Sequence, residues 1–158
     1  MKKIILAAGV ISAIILSSFT NMGYSEVYKV DTKVSTLEWF AEKIGGKHNG
    51  VVNLSGGSIA SDHGKLTGSF DINMTSITVR ELTGEWAAKL EGHLKSEEFF
   101  NTEKFPAAKF VIISATPING SKKGGFTHHV KGNLTIKDKT NEIDFDATIK
   151  TEGKRSVA

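Results

Sequence analysis

Few residues in this chain could do bond-making chemistry. Its 158 residues include five histidines and no cysteine, so thiol nucleophiles, thiolate metal sites and disulfides are all absent. His128 and His129 are adjacent, and neighbours on a strand point to opposite faces, so the pair would not grip one ion. His48, His63 and His93 are isolated and lack a ligand-pair spacing on a helix. No dedicated metal site is expected. There is no Gly-x-Ser-x-Gly elbow and no glycine-rich phosphate loop. Glu97 and Glu98 are adjacent acids near an expected cap, where a helix N-terminus favours negative charge without any catalysis. The chain reads as a binding protein, not an enzyme.

What remains is apolar contact. Phe70, Ile72, Phe110, Ile112, Leu134 and Phe145 fall on one face of strand-like segments, and Trp39 falls on a further one. They either line a cavity or fill a plain core, and periodicity alone leaves both readings open. Trp86, Leu90, Leu94, Phe99 and Phe100 fall on a helical stretch, as a lid over a cavity or as the contact that packs the stretch onto a sheet. Arg80, Lys89, His93 and Lys95 lie nearby in sequence. Together they would offer donors to the head group of an amphiphile; singly each reads as a solvated charge.

The elements that must position these residues are mostly strands. Leu66, Phe70, Ile72 and Met74 alternate with Thr67, Ser69, Asp71, Asn73 and Thr75, the period of a strand with one buried face. Ile143, Phe145, Ala147 and Ile149 repeat the pattern, as do Val130, Leu134 and Ile136. Leu37, Trp39 and Ala41 alternate less cleanly because Phe40 faces the other way. Lys109 to Ala115 is apolar on both faces, which predicts a strand covered on both sides or touching a neighbouring element. Asn49-Gly50, Gly56-Gly57, Asn119-Gly120 and Gly124-Gly125 are turn signals. Lys137 to Asn141 reads as a short hairpin loop. From Arg80 to Leu94 the spacing of Leu82, Trp86, Leu90 and Leu94 changes to four, a helical period. Thr83 is placed to cap its start, Ser96 to cap a second short turn, and Pro106 ends the excursion. Strands joined by short links are antiparallel. The fold class is therefore all-β with a short helical excursion, closing as a barrel or packing as a sandwich.

The start of the chain has a different character. Lys2 and Lys3 precede an uncharged, mainly apolar run, Ile4 to Phe19, and then a polar stretch of small residues. This is the order of a secretory signal peptide, with cleavage expected after Ser25; the run is shorter than the ~20 residues of a membrane span. Residues 1–25 are thus read as leader, 26–150 as the β domain and 151–158 as a polar tail. Losing Lys2 and Lys3, with no acid before Glu26, lowers the formal charge from +3 to +1. So neutral a domain is a poor nucleic-acid binder. Periplasmic or secreted localisation follows, with no stable membrane span after cleavage; a homodimer is left open.

Several blocks resemble the YceI-like family. They are Gly92-His93-Leu94-Lys95-Ser96-Glu97-Glu98-Phe99-Phe100, then Phe105-Pro106-Ala107-Ala108-Lys109-Phe110. Trp39 followed by His48-Asn49-Gly50-Val51, the stretch Gly68 to Ile77 and the stretch Gly132 to Lys137 are similar as well. The resemblance runs from about Tyr28 to Ile149. It implies a lipocalin-like antiparallel β-barrel, exported to the bacterial periplasm, with an elongated apolar cavity for an isoprenoid lipid such as a polyprenyl chain or a quinone-like amphiphile. No other cofactor is implied. The alternative is a stress-related periplasmic module that works through a protein partner, its interior a plain core. The family generally continues with another strand or two. Residues 151–158 are polar and do not alternate, so the barrel is expected to lack its last strands and to have an open edge. Either the reading frame is cut short, which is the favoured reading, or a partner strand closes the edge, or the protein is compromised.

Overall fold

The computed structural model describes residues 7–8, 14–17, 25–43, 46–118, 125–152 and 155–157. Eleven strands and one helix follow in chain order: β1 (Ala7–Ala8), β2 (Ile14–Ser17), β3 (Ser25–Val30), β4 (Leu37–Lys43), β5 (Gly46–Asp62), β6 (Lys65–Val79), α1 (Gly84–Lys95), β7 (Ala107–Pro117), β8 (His128–Ile136), β9 (Lys139–Ala147), β10 (Lys150–Glu152) and β11 (Arg155–Val157). Every pairing is antiparallel. The strands form one sheet in the order β10-β11-β2-β3-β5-β6-β7-β8-β9, with β4 placed between β5 and β1. Among the described residues the sheet does not close, and it has the form of a lipocalin-like barrel without its closure. The segment read as leader supplies β1 and β2, and the segment read as a polar tail pairs as β10 and β11. Main-chain pairing in that tail does not require the side-chain alternation that the sequence lacks there.

The longest hairpin, β5 with β6, organises the sheet. On its other edge β5 takes two partners in turn, β4 along Gly46 to Val52 and β3 along Ser58 to Asp62. Between them its register against β6 shifts at Val51/Asn53 and Leu54/Gly56, the extra residues that bend a strand and re-aim its side chains. Ser76 Oγ fixes the bend: it accepts from Asn53 N at 2.8 Å and donates to Asn73 O at 2.7 Å. Phe70, Ile72 and Met74 face inward before it, and Ile77 and Val79 after it. The apolar face thus stays on the core although the count between Met74 and Ile77 is odd.

Two expected turns are something else. Asn49-Gly50 and Gly56-Gly57 lie inside β5. They are bend and close-approach positions, where a glycine signal looks the same as in a turn. The β5–β6 reversal is made by His63 (φ 49°) and Gly64 (φ 81°), the two positive-φ positions of a type I′ turn. Asn119-Gly120 and Gly124 lie outside the described residues. The β8–β9 loop is tighter than expected: only Lys137 (φ 59°) and Asp138 separate the strands. The outer face of β7 is also uncovered, with Val111 41% and Ile113 45% exposed. The alternation there is real, but no described element crosses that face.

Candidate functional site

The inner face of β6 to β9 carries an aromatic wall. Phe70 and Phe110 are directly opposed on β6 and β7, and their rings lie 6.4 Å apart at 26°. Phe110 and Phe145 lie 5.6 Å apart at 43°, so the ring contact runs from β7 past β8 to β9. Gly132 on β8 leaves the room for it. A Cβ there would sit 2.3 Å from Phe110 Cζ and 2.6 Å from Val111 O. Phe70, Ile72, Phe110 and Ile112 are buried, whereas Leu134 and Phe145 are only half-buried. Among the described residues β9 pairs with β8 alone. The wall is therefore closed at β6–β7 and partly open to water at β9.

Trp39 joins the same core from β4. It is buried, faces Gly50 across the β4–β5 ladder, and donates its indole N–H to Thr78 O at 3.0 Å. That bond gives the ring's one polar atom a partner in an apolar interior. Gly50 is obligatory beneath it, since a Cβ would lie 1.8 Å from Thr78 O and 2.6 Å from Trp39 Nε1.

The helical excursion packs on the same core, with α1 lying against β6. Leu94 is buried, and Leu82, Leu90, Phe99 and Phe100 pack half-buried on the core. Phe99 and Phe100 meet edge to face at 4.6 Å. Three bonds tie the excursion down: Val79 N donates to Glu91 Oε1 (2.9 Å), Lys137 Nζ to Phe99 O (3.1 Å) and Met74 N to Pro106 O (2.9 Å). The helix starts at Gly84, with Thr83 at the cap position but no hydroxyl cap bond. Ser96 is its C-cap instead of the cap of a new turn. Its hydroxyl donates back to His93 O, and its carbonyl, not its hydroxyl, accepts Phe99 N and Asn101 N. Trp86 parts from the other four. It is 70% exposed, with Lys89 Nζ 5.0 Å from its ring centroid.

The four expected head-group donors go to different partners. Arg80 pairs with Glu38 at 2.6 Å on the surface, Lys89 with Trp86, and His93 with Glu98 at 3.8 Å and the Phe99 ring. Lys95 is half-buried at the helix end, where its carbonyl accepts Thr102 N. Sequence reasoning missed two polar anchors near the cap. One is Lys137. The other is Glu81, which takes Asn49 N at 2.8 Å and His48 Nδ1 at 2.6 Å. Burial pushes the Glu81 carboxyl up, but the backbone N–H groups of Asn49 and Glu81 and the His48 ring outweigh it and hold the carboxyl below its usual value. Its partners are 32 and 33 residues away, so no local spacing could have revealed them.

His128 and His129 point apart. Burial holds the half-buried His128 below its ordinary pKa, and His129 sits on the surface between Asp146 (2.8 Å) and Asp144 (3.5 Å). Among the described residues no group of three or more His, Asp or Glu is arranged to hold a metal ion. Among them, too, no helix is long and apolar enough to cross a membrane.

Comparison with known proteins places the chain in a family. The YceI-like domain matches residues 28–158. A UPF0312 protein of Shewanella denitrificans is 28% identical over 158 residues, covering 98% of this chain and 76% of the relative. A UPF0312 protein of Photorhabdus laumondii is 39% identical over 67 residues, 42% of this chain and 32% of the relative. One of Pseudomonas fluorescens is 36% identical over 67 residues, 42% and 34% respectively. The chain thus spans about a third of the length of the latter two in those matches.

Proposed function

The chain belongs to the YceI-like domain family, and from that premise we propose that it is an exported binding protein holding an isoprenoid-type lipid or a quinone-like amphiphile against the inner face of its sheet. The observation that carries this is the Phe70–Phe110–Phe145 wall, which ends half-exposed at β9, a strand paired on one edge alone among the described residues. The open edge of the sheet leaves that face partly wet. A long apolar chain would cover it, gaining ~25 cal/mol per Å² buried with few polar contacts. Lys95, half-buried at the end of the helix, is the donor this reading assigns to the head group. Export to the periplasm belongs to the same reading, supported by Lys2-Lys3 and the apolar run Ile4 to Phe19.

The test is a titration of delipidated protein with a long-chain quinone and with a polyprenol. Both are expected to saturate at about one ligand per chain, the capacity of a small barrel. Lys95→Ala should stay within about 0.5 kcal/mol of the parent in stability, as a surface change does, while weakening the quinone more than the polyprenol. Failure of both ligands to saturate would reject the lipid reading and favour a module acting through a protein partner.

A further inference from the structure

The surface of the helical excursion carries a band in which aromatic and basic groups alternate. Trp86 opens it, 70% exposed, with Lys89 Nζ 5.0 Å from the ring centroid. One helical turn beyond Lys89 on the same face is His93, whose ring lies 5.8 Å from Phe99. Lys137 bonds to the Phe99 carbonyl and reaches within 6.0 Å of Phe105. Lys104 stacks over Phe105 from 5.3 Å. The band thus crosses the whole excursion from α1 to the loop before β7. A lone exposed apolar residue needs no explanation, but two rings, Trp86 and Phe105, that carry lysine ammoniums over them, with the His93–Phe99 ring pair between, make the composition of a membrane–water interface. There aromatic rings sit at head-group level and lysine stems extend toward the phosphates.

We propose that this band seats the protein on the surface of a lipid bilayer, with Trp86 inserted. The occupant follows from the chemistry and from the ligand reading on which this inference rests: a water-insoluble isoprenoid must be taken from or delivered to a bilayer. The excursion bearing the band also packs on the core to which the wall residues belong, with α1 lying against β6. Charge argues against a purely electrostatic contact. Glu85 shares the exposed face of α1, and Glu98 lies 3.8 Å from His93, so the band is nearly neutral. Ring insertion should dominate, and binding should depend weakly on anionic lipid and salt.

The experiment uses the chain as exported, without the expected leader, and vesicles of phosphatidylcholine, with and without a fifth of phosphatidylglycerol. Trp39 is buried and Trp86 exposed, so vesicle binding should shift the Trp86 emission to the blue and leave that of Trp39 in place. Trp86→Ala should weaken co-sedimentation about tenfold, the factor expected for keeping roughly 60 Å² of apolar ring in water. It should leave ligand saturation in the titration above unchanged, because Trp86 does not touch the wall. No blue shift, or equal sedimentation of parent and Trp86→Ala, would overturn the docking surface while leaving the ligand reading intact. Binding that appears only with phosphatidylglycerol and vanishes in salt would overturn ring insertion in favour of adsorption by charge alone.

Discussion

Phe70→Asp is expected to leave no cooperatively folded domain. Phe70 is 4% exposed, faces Phe110 across the β6–β7 ladder, and stands over Gly57, where a Cβ would lie 2.4 Å from Ser69 O. Removing such a ring costs about 3–5 kcal/mol, from lost apolar burial and the cavity together. A carboxylate in its place adds several kcal/mol more, because a charge buried among apolar side chains loses its water. The sum rivals the ~5–15 kcal/mol that holds an ordinary domain together. Urea unfolding followed by far-ultraviolet circular dichroism would show a loss of the sigmoidal transition. Phe70→Leu, a hydrophobic change that keeps the wall apolar, should retain the transition at a cost of about 1–2 kcal/mol. A folded Phe70→Asp protein with a near-normal midpoint would mean that the wall is not the core described above.

The second large effect is expected at Gly50. In Gly50→Ala the new methyl would lie 1.8 Å from a backbone oxygen, Thr78 O, and 2.6 Å from the indole nitrogen bonded to it. Backbone cannot rotate away, so β5 and β6 must separate locally and Trp39 must give up its hydrogen bond. Overpacking of this kind together with an orphaned buried N–H costs about 3 kcal/mol or more. In a Trp86→Phe background the remaining tryptophan emission should move to the red as Trp39 meets water, and the urea midpoint should fall. Gly92→Ala is the control: nothing lies within 4 Å of its Cβ position on α1, and alanine in a helix interior should gain about 0.5–1 kcal/mol. An unchanged midpoint in Gly50→Ala would contradict the close approach of Trp39 to the β5–β6 pair.

These two positions also show what the sequence could tell and what it could not. Phe70 was legible because its neighbours alternate: Ile72 and Met74 inward, Asp71 and Asn73 outward, a pattern that one strand imposes by itself. The same held for β8 and β9 and for the helical spacing of Leu82, Leu90 and Leu94. Gly50 was read as a turn, because a glycine that reverses the chain and a glycine that admits a tryptophan ring look identical until the partner strand is known. The turn that does reverse the chain, His63-Gly64, passed as an isolated histidine. Trp86 fits the helical period as well as Leu90 does, yet it faces water. A period of four marks a stripe on a helix, and only the docking angle decides which edge of that stripe is covered. Glu81, His48 and Lys137 were invisible for a related reason: their partners come from other strands, and cross-strand register is a property of the folded sheet.

The central claim, that the half-open aromatic wall holds a lipid, is tested most directly by native mass spectrometry of the chain as exported, purified from a bacterium that exports it, followed by organic extraction of what dissociates. A species heavier than the polypeptide by one apolar amphiphile, released by solvent and bearing an isoprenoid chain, is the predicted result. Protein that carries no extra mass, and acquires none after incubation with polyprenol or quinone, would contradict it.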